Sequence, residues 1–233
     1  MNHPTSRYDE IAAGLAEVEG RIAAACADAG RERSEITLIV VTKTYPASDV
    51  EILAELGVMD VGENRHPEAG DKAGEVGAQL RWHFLGGLQT NKAGAVAQYA
   101  DMVHSVDRAK LVNSLSRGAE AAGRTLRCLV QVDFGDADGR SGVAPSGVPE
   151  LAAAVAAADH LELAGVMTVA PLGVDPAPHF DHLVRISADL RGDHPQATVV
   201  SAGMSGDFED AVRAGATHLR IGRSVLGERA STR

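Results

Sequence analysis

The sequence predicts one α/β domain folded as a (β/α)8 TIM barrel over residues 1–233. Short runs rich in Val, Ile and Leu alternate with Ala-rich amphipathic stretches, and eight such runs can be counted. Alternating strands and helices indicate a parallel sheet, and eight repeats favour closure into a barrel. No low-complexity linker divides the chain. One additional helix, about residues 8–29, precedes the first strand.

The eight predicted strands are 36–43, 59–63, 81–86, 102–106, 126–133, 161–169, 198–202 and 218–222. The helices between them are predicted near 48–56, 67–78, 90–99, 107–122, 147–158, 177–191 and 206–214. Gly57 and Gly215 are expected to end helices in the left-handed conformation, and Ser48 and Asp107 to cap the helices that follow them. Only VLGERASTR follows the eighth strand, so the N-terminal helix is expected to cover the surface that a final helix would otherwise cover.

The composition restricts the possible functions. Hydrophobic residues make up 45% of the chain and the net charge is -10, which argues against a nucleic-acid surface but not against a small anion site. The two cysteines lack metal-site or CxxC spacing, and no apolar run is long enough to span a bilayer. We therefore expect a cytoplasmic protein with reduced thiols. We also expect a monomer, because no long exposed apolar stripe remains once the barrel faces are assigned.

The first predicted strand, within ITLIVVTKTYP, ends on Lys43. A lysine at the carboxyl end of a buried strand lies on the face where barrel proteins collect functional residues. One interpretation is a rim lysine paired with a carboxylate such as Glu63. The other is an amine whose pKa is lowered by burial and neighbouring cations, so that it attacks an aldehyde and forms a Schiff base.

Two loops at the same predicted rim favour a phosphate group. SAGMSGD, residues 201–207, places small residues and hydroxyls before a helix, and RIGRS, residues 220–224, places Gly222 between Arg220 and Arg223. Loops after the seventh and eighth strands are the recurrent phosphate position of this fold. An aldehyde that carries a phosphate would satisfy both ends of the site.

The motifs VTKTYP, VGEN, WHFLGGLQTNK, VHSVDR, GRSGV, GVMTVAP, SAGMSGDFEDAV and RIGRSVLG occur in this order along the chain. In this order they resemble the YggS/PROSC family of pyridoxal 5'-phosphate (PLP) homeostasis proteins, from about residue 8 to residue 229. The resemblance implies a barrel like the N-terminal domain of alanine racemase, with PLP held as a Schiff base on Lys43. Arg65 and Arg223 depart from the family pattern, which has tyrosine or a similar residue at the first position and threonine or serine at the second.

The same resemblance implies the other cofactor-binding residues. Asn64 would lie beside the pyridine ring and Arg220 would face the pyridine nitrogen. The phosphate would be surrounded by Ser201, Met204, Ser205, Gly222 and Arg223. An arginine offers only donors, so it favours an unprotonated pyridine nitrogen, and such a ring is a weak electron sink.

Three functions are compatible with these residues. The first is a PLP carrier that buffers the cofactor and passes it to apo forms of PLP-dependent enzymes, without a dedicated substrate. The second is a small PLP-dependent amino-acid racemase or related enzyme that uses Lys43 as its single base. The third, a Schiff-base aldolase, is disfavoured because the sixth strand, LELAGVMTVA, carries no lysine.

The remaining polar candidates have simpler interpretations. His179 and His182, with Asp181 nearby, have a spacing that suits a metal, but no third ligand is evident and a solvated helix face is favoured, so no metal is predicted. Trp82 and His83 alternate across the third strand, and one of them is expected to face the barrel interior, with a hydrogen-bonded imidazole.

Overall fold

The computed structural model describes residues 6–135, 141–171 and 173–227. Eight parallel strands form a closed barrel in the order β1 to β8, and β1 pairs with β8. This confirms the predicted fold class. The strands are β1 (Thr37–Val41), β2 (Asp60–Glu63), β3 (Arg81–Phe84), β4 (Met102–Val106), β5 (Leu126–Gln131), β6 (Leu161–Met167), β7 (Val199–Ser201) and β8 (His218–Ile221).

Helices surround the barrel between the strands. They are α1 (Arg7–Asp28), α2 (Ala47–Glu55), α3 (Glu68–Glu75), α4 (Ala93–Val96), α5 (Ala109–Ala121), α6 (Val148–Ala156), α7 (Ala177–Asp193), α8 (Phe208–Ala214) and α9 (Arg223–Leu226). The helix predicted near 90–99 is shorter, because Thr90–Lys92 forms a turn of 3₁₀ helix before α4. Among the described helices, none is long and apolar enough to cross a membrane.

The N-terminal helix covers the barrel as expected. Helix α1 packs against α2, α8 and α9, which flank the junction of the first and last strands. Its approach to α9 is close, since a Cβ added at Gly14 would lie 2.4 Å from the carbonyl oxygen of Val225. Helix α9 was not predicted, because four residues are too few to show a helical period.

The two predicted glycine positions and the two predicted caps behave differently. Gly57 and Gly215 have φ angles of 85° and 114°, so both occupy the left-handed region in which glycine carries no steric penalty. The caps are wrong. Pro46 is the N-cap of α2 and Ser48 lies inside the helix, while Arg108 is the N-cap of α5 and Asp107 pairs with it.

The apolar core lies mainly between the strands and the helices. Trp82 and Phe84 of β3 belong to this outer layer, whereas His83 between them faces the barrel interior. The interior holds a smaller apolar cluster of Met102, Leu129, Ala164, Met167 and Val199. The remainder of the interior contains buried polar side chains, and these reach the functional face.

Candidate functional site

A cavity of about 510 Å³ opens at the carboxyl ends of the strands. Its size suits one small cofactor. The cavity is lined by seven of the eight site residues predicted from the sequence: Lys43, Asn64, Met204, Ser205, Arg220, Gly222 and Arg223. Lys43 and the loops after β7 and β8 therefore meet at one mouth of the barrel, although they are up to 180 residues apart in sequence.

The loop that carries Lys43 is held by a buried ion pair. The Lys72 ammonium, on α3, lies 2.6 Å from the Glu63 carboxylate and donates to the Thr42 carbonyl at 2.9 Å. The Thr42 hydroxyl donates to the same carboxylate at 2.6 Å. Glu63, considered above as a partner for Lys43, thus bonds the residue that precedes Lys43 and the lysine of α3.

The other side of Lys43 is also tethered. The backbone N–H of Thr44 donates to the Glu68 carboxylate at 2.8 Å, and Thr44 adopts a φ of 69°. A threonine in the left-handed region is strained, so the contacts on both sides of Lys43 must hold the backbone in this turn. The lysine therefore extends from a fixed backbone position.

Arg220 lies on the cavity wall with only 5% of its surface exposed. Its guanidinium donates to the Ser201 hydroxyl at 2.6 Å and to the Thr168 carbonyl at 2.8 Å. Burial lowers the pKa of Arg220 to about 10, an effect that Asp207 partly opposes. At neutral pH the side chain is still a cation, and it has no capacity to accept a hydrogen bond.

Ser201 is the one predicted site residue that does not line the cavity. It is fully buried at the end of β7, where its hydroxyl contacts Arg220 and, at 3.0 Å, the Nδ1 atom of His104. It therefore lies behind Arg220, beneath the cavity wall. The predicted contact with a phosphate remains a prediction.

The loops after β7 and β8 are shaped by short-range contacts. The Asp207 carboxylate accepts from the Met204 N–H at 2.6 Å and holds the 204–207 turn. Burial raises the pKa of Asp207, and the hydrogen bond from Met204 opposes this rise. A Cβ at Gly222 would lie 2.8 Å from the Val41 carbonyl, so the glycine is required for the close approach of β1 and β8.

A row of polar side chains fills part of the barrel interior beneath Arg220. His83 is the member of the Trp82 and His83 pair that faces inward, and it contacts Asp60 at 2.9 Å and His104 at 2.9 Å, which confirms the expected hydrogen-bonded imidazole. His104, Asp60 and Lys72 were not singled out from the sequence. The available signal was a histidine in each of two neighbouring strands, RWHF and MVHSV, but neither motif shows which face its histidine occupies.

The candidate metal ligands have other surroundings. His179 and His182 both pack their rings against Phe134, with centroid distances of 5.6 and 4.9 Å. Across the described ranges, no group of three His, Cys, Asp or Glu side chains is arranged to hold a metal ion. Cys26 and Cys128 are both buried as free thiols. Arg140, the arginine of the GRSGV motif, lies outside the described residues.

The fold and the cavity define a barrel of the alanine racemase N-terminal type. Residues 20–230 match the family described as "Alanine racemase, N-terminal domain". The chain belongs to the pyridoxal phosphate homeostasis protein family within that class. It is 41% identical to the pyridoxal phosphate homeostasis protein of Mycobacterium tuberculosis, covering 96% of this chain and 94% of the relative. It is 36% identical to that of Escherichia coli, covering 95% and 97%.

Solved structures agree with this assignment. PipY of Synechococcus elongatus, determined with PLP bound, is 31% identical, with a TM-score of 0.79 over 93% of this chain and all of that one. An alanine racemase of Clostridium difficile is 16% identical, with a TM-score of 0.75, and supports the fold alone. The alignment covers 96% of this chain but 58% of the racemase.

Proposed function

We propose that this protein binds pyridoxal 5'-phosphate, holds it as a Schiff base on Lys43, and acts in intracellular PLP homeostasis as a carrier. The observation that carries the proposal is the single cavity that brings Lys43 together with Arg220 and the loops after β7 and β8. The family relationship and the PLP-bound PipY structure support the choice of cofactor. No dedicated catalytic residue is part of the proposal.

The donor set of the cavity fits the chemistry of PLP. The cofactor supplies an aldehyde carbon with which a lysine amine condenses, releasing one water. Lys43 offers that amine from a turn held by Glu63, Lys72 and Glu68. Arg220 offers a cation with donors only, which suits an unprotonated ring nitrogen.

The phosphate is assigned to the part of the cavity formed by the loops after β7 and β8. The backbone of Met204, Ser205 and Gly222, together with Arg223, would surround it, and Asn64 would contact the ring from the end of β2. All of these residues line the cavity. Arg220 and Arg223 add positive charge for the anion, while Asp207 holds its loop through the Met204 N–H.

The proposed role extends to delivery. A cofactor held by one reversible bond can be released to apo forms of PLP-dependent enzymes, and we place this exchange in the cytoplasm with the protein acting as a monomer. Size-exclusion chromatography with light scattering tests the last statement directly, since a monomer has a mass of 24.2 kDa.

The first test is the attachment point. Purified protein mixed with PLP is expected to show a visible absorption band, and borohydride reduction followed by peptide mass spectrometry is expected to place the pyridoxyl group on Lys43. The Lys43→Ala variant should lose both the band and the label while keeping its circular dichroism spectrum. Lys110→Ala, at an exposed position of α5, is the matched control and should keep both. A label on another lysine, or an unchanged band in Lys43→Ala, contradicts the assignment.

The racemase alternative has a separate test. Loaded protein is incubated with L-alanine or D-alanine, and the enantiomer ratio is followed by chiral chromatography against free PLP at the same concentration. Turnover well above that of free PLP would replace the carrier function with an enzymatic one. A rate equal to that of free PLP supports the carrier.

A further inference from the structure

A chain of five polar side chains crosses the interior of the barrel. It begins at Asp60, at the amino end of β2, and continues through His83 of β3 and His104 of β4. It then reaches Ser201 at the carboxyl end of β7 and ends at Arg220, on the wall of the cavity. The four contacts measure 2.9, 2.9, 3.0 and 2.6 Å, so each is short enough for a hydrogen bond.

The two ends of this chain set the direction of its hydrogen bonds. Arg220 only donates, so the Ser201 oxygen accepts from it, and the Ser201 hydroxyl is then available to the Nδ1 atom of His104. His104 in turn donates from Nε2 to Nδ1 of His83. His83 donates from Nε2 to the Asp60 carboxylate, which only accepts. With Nε2 as the donor and Nδ1 as the acceptor of both imidazoles, each of the four contacts has one donor and one acceptor.

We propose that His83 and His104 are positioning residues for the cofactor site, which act through Ser201 to fix the guanidinium of Arg220 at the cavity wall. The inference rests on the proposed function for its ligand, PLP, but not for the hydrogen-bonded chain itself. It also gives Ser201 a role that differs from phosphate binding, since the Ser201 hydroxyl serves Arg220 and His104.

The reason for this arrangement is orientation. Ser201 and Thr168 accept from two different nitrogens of Arg220, and two such anchors fix the plane of a guanidinium. The Thr168 carbonyl is part of the backbone and is therefore held by the fold. The Ser201 hydroxyl is a rotor, and only an acceptor at His104 Nδ1 turns its hydrogen away from Arg220.

Burial argues that the chain is more than packing. His104 is fully buried and His83 nearly so, next to an interior cluster of purely apolar side chains. Polar groups in such surroundings are costly unless they are hydrogen-bonded. Apolar side chains would fill the same space without that cost. The hydrogen bonds of His83 and His104 therefore point to a role for the residue that they reach at the cavity, Arg220.

The hydrogen-bonded chain from Asp60 to Arg220 can be tested without any cofactor. In apo protein labelled with 15N at histidine, both His83 and His104 are expected to show a proton on Nε2, and His104 is expected to show none on Nδ1 at pH 7. The Ser201→Ala variant should shift the Nδ1 resonance of His104, which loses its donor. A His104 protonated at Nδ1, or charged at pH 7, overturns the proposal regardless of how the variants fold.

The effect on the site is tested by titrating full-length variants with PLP and following the absorption band. His104→Leu removes the acceptor of Ser201, and we expect it to weaken PLP binding about tenfold, the size of one lost buried hydrogen bond. His104→Asn places an amide oxygen near the former Nδ1 position and should restore most of the affinity. Met102→Leu, in the same strand and in the interior cluster, is the matched control and should bind as the original chain does.

A double-variant comparison separates positioning from general loosening. If His104 acts through Ser201, the His104→Leu change should weaken binding far less in a Ser201→Ala background than in the original chain. Equal effects in both backgrounds, or equal affinity of His104→Leu and Met102→Leu, contradict the inference. If the unmodified protein binds no PLP, the proposed function fails. The imidazole spectra still decide whether the hydrogen-bonded chain from Asp60 to Arg220 exists.

Discussion

Two groups of buried polar side chains lie on opposite sides of strand β2. Outside the barrel, Glu63 forms a close ion pair with Lys72 of α3. Inside, Asp60 begins the chain through His83 and His104 that ends at Arg220. The first group holds the turn that carries Lys43, and the second holds Arg220 on the wall of the same cavity.

The difference lies in where the charge is placed. The ion pair puts both charges in contact, with 6% of the Lys72 side chain and 1% of the Glu63 side chain exposed. The interior chain keeps its charges at the two ends and sets two imidazoles between them. Burial raises the pKa of Glu63, against the hydrogen bonds from Lys72 and Thr42, and it lowers that of His104. Burial thus favours the neutral form of Glu63 and of His104, and the Glu63 carboxylate is opposed in this by a buried partner charge, whereas His104 has neutral groups as its hydrogen-bond partners.

The largest expected effect comes from removing one charge of the pair. Lys72→Met leaves the Glu63 carboxylate buried with Thr42 as its remaining described donor, and the Thr42 carbonyl loses the ammonium. We expect a loss of about 3–5 kcal/mol in the free energy of unfolding, the cost typical of a buried charge left without its partner. Urea denaturation at pH 7, followed by circular dichroism, measures it.

The double variant Glu63→Leu with Lys72→Met is the control for this prediction. An ion pair replaced by apolar residues of similar volume often costs little, so the double variant should recover most of the lost stability. If Lys72→Met alone costs less than about 1 kcal/mol, the pair does not behave as a desolvated ion pair, and the contrast between the two groups disappears.

The barrel could be predicted from the sequence because its signals are local. Every predicted strand overlaps an observed one, since a buried strand is a short apolar run and each run is bounded by turns or helices. The caps at Ser48 and Asp107 failed because a helix start depends on backbone angles, which the residue type only favours. The rim position of Lys43 followed from strand direction alone.

The polar groups behind the cavity could not be predicted in the same way. His104 and Ser201 are 97 residues apart, and their contact depends on the closure of the sheet into a barrel. Lys72 appears in the sequence as one charge of an otherwise polar helix, EAGDKAGE, and nothing local shows that it points inward. Sequence patterns assign faces of an element, whereas these contacts depend on which faces meet.

The second prediction concerns pH. Burial, with smaller effects from His83 and Arg220, places the pKa of His104 well below the ordinary 6.5, and burial lowers that of His218 to about 4. Between these values and pH 6.5 the unfolded chain binds protons that the folded chain does not. Acidification therefore favours unfolding, by up to about 1.4 kcal/mol per pH unit for each imidazole. This contribution to stability is fully present above about pH 7 and is lost as the pH falls.

Denaturation midpoints between pH 7.5 and 5 measure this slope. His104→Leu should have a shallower slope than the original chain, by up to about 1.4 kcal/mol per pH unit, because one buried imidazole is gone. Met102→Leu should keep the original slope. If the slope of His104→Leu is also unchanged, His104 has a similar pKa in the folded and unfolded states, and the interior chain does not exclude charge as described.

The smallest effect is expected at the outer end of the chain. Arg81 pairs with Asp60, but 57% of its side chain is exposed, and water screens a pair of this kind. Asp60 also keeps its hydrogen bond from His83, so Arg81→Gln should lower the free energy of unfolding by less than about 1 kcal/mol. The loss should shrink further in salt, because the Debye length falls to about 3 Å at 1 M. Urea denaturation in low and high salt measures both effects. A loss as large as that of Lys72→Met would mean that the carboxylate of Asp60 depends on Arg81 rather than on His83, and the interior chain would then be anchored from the surface.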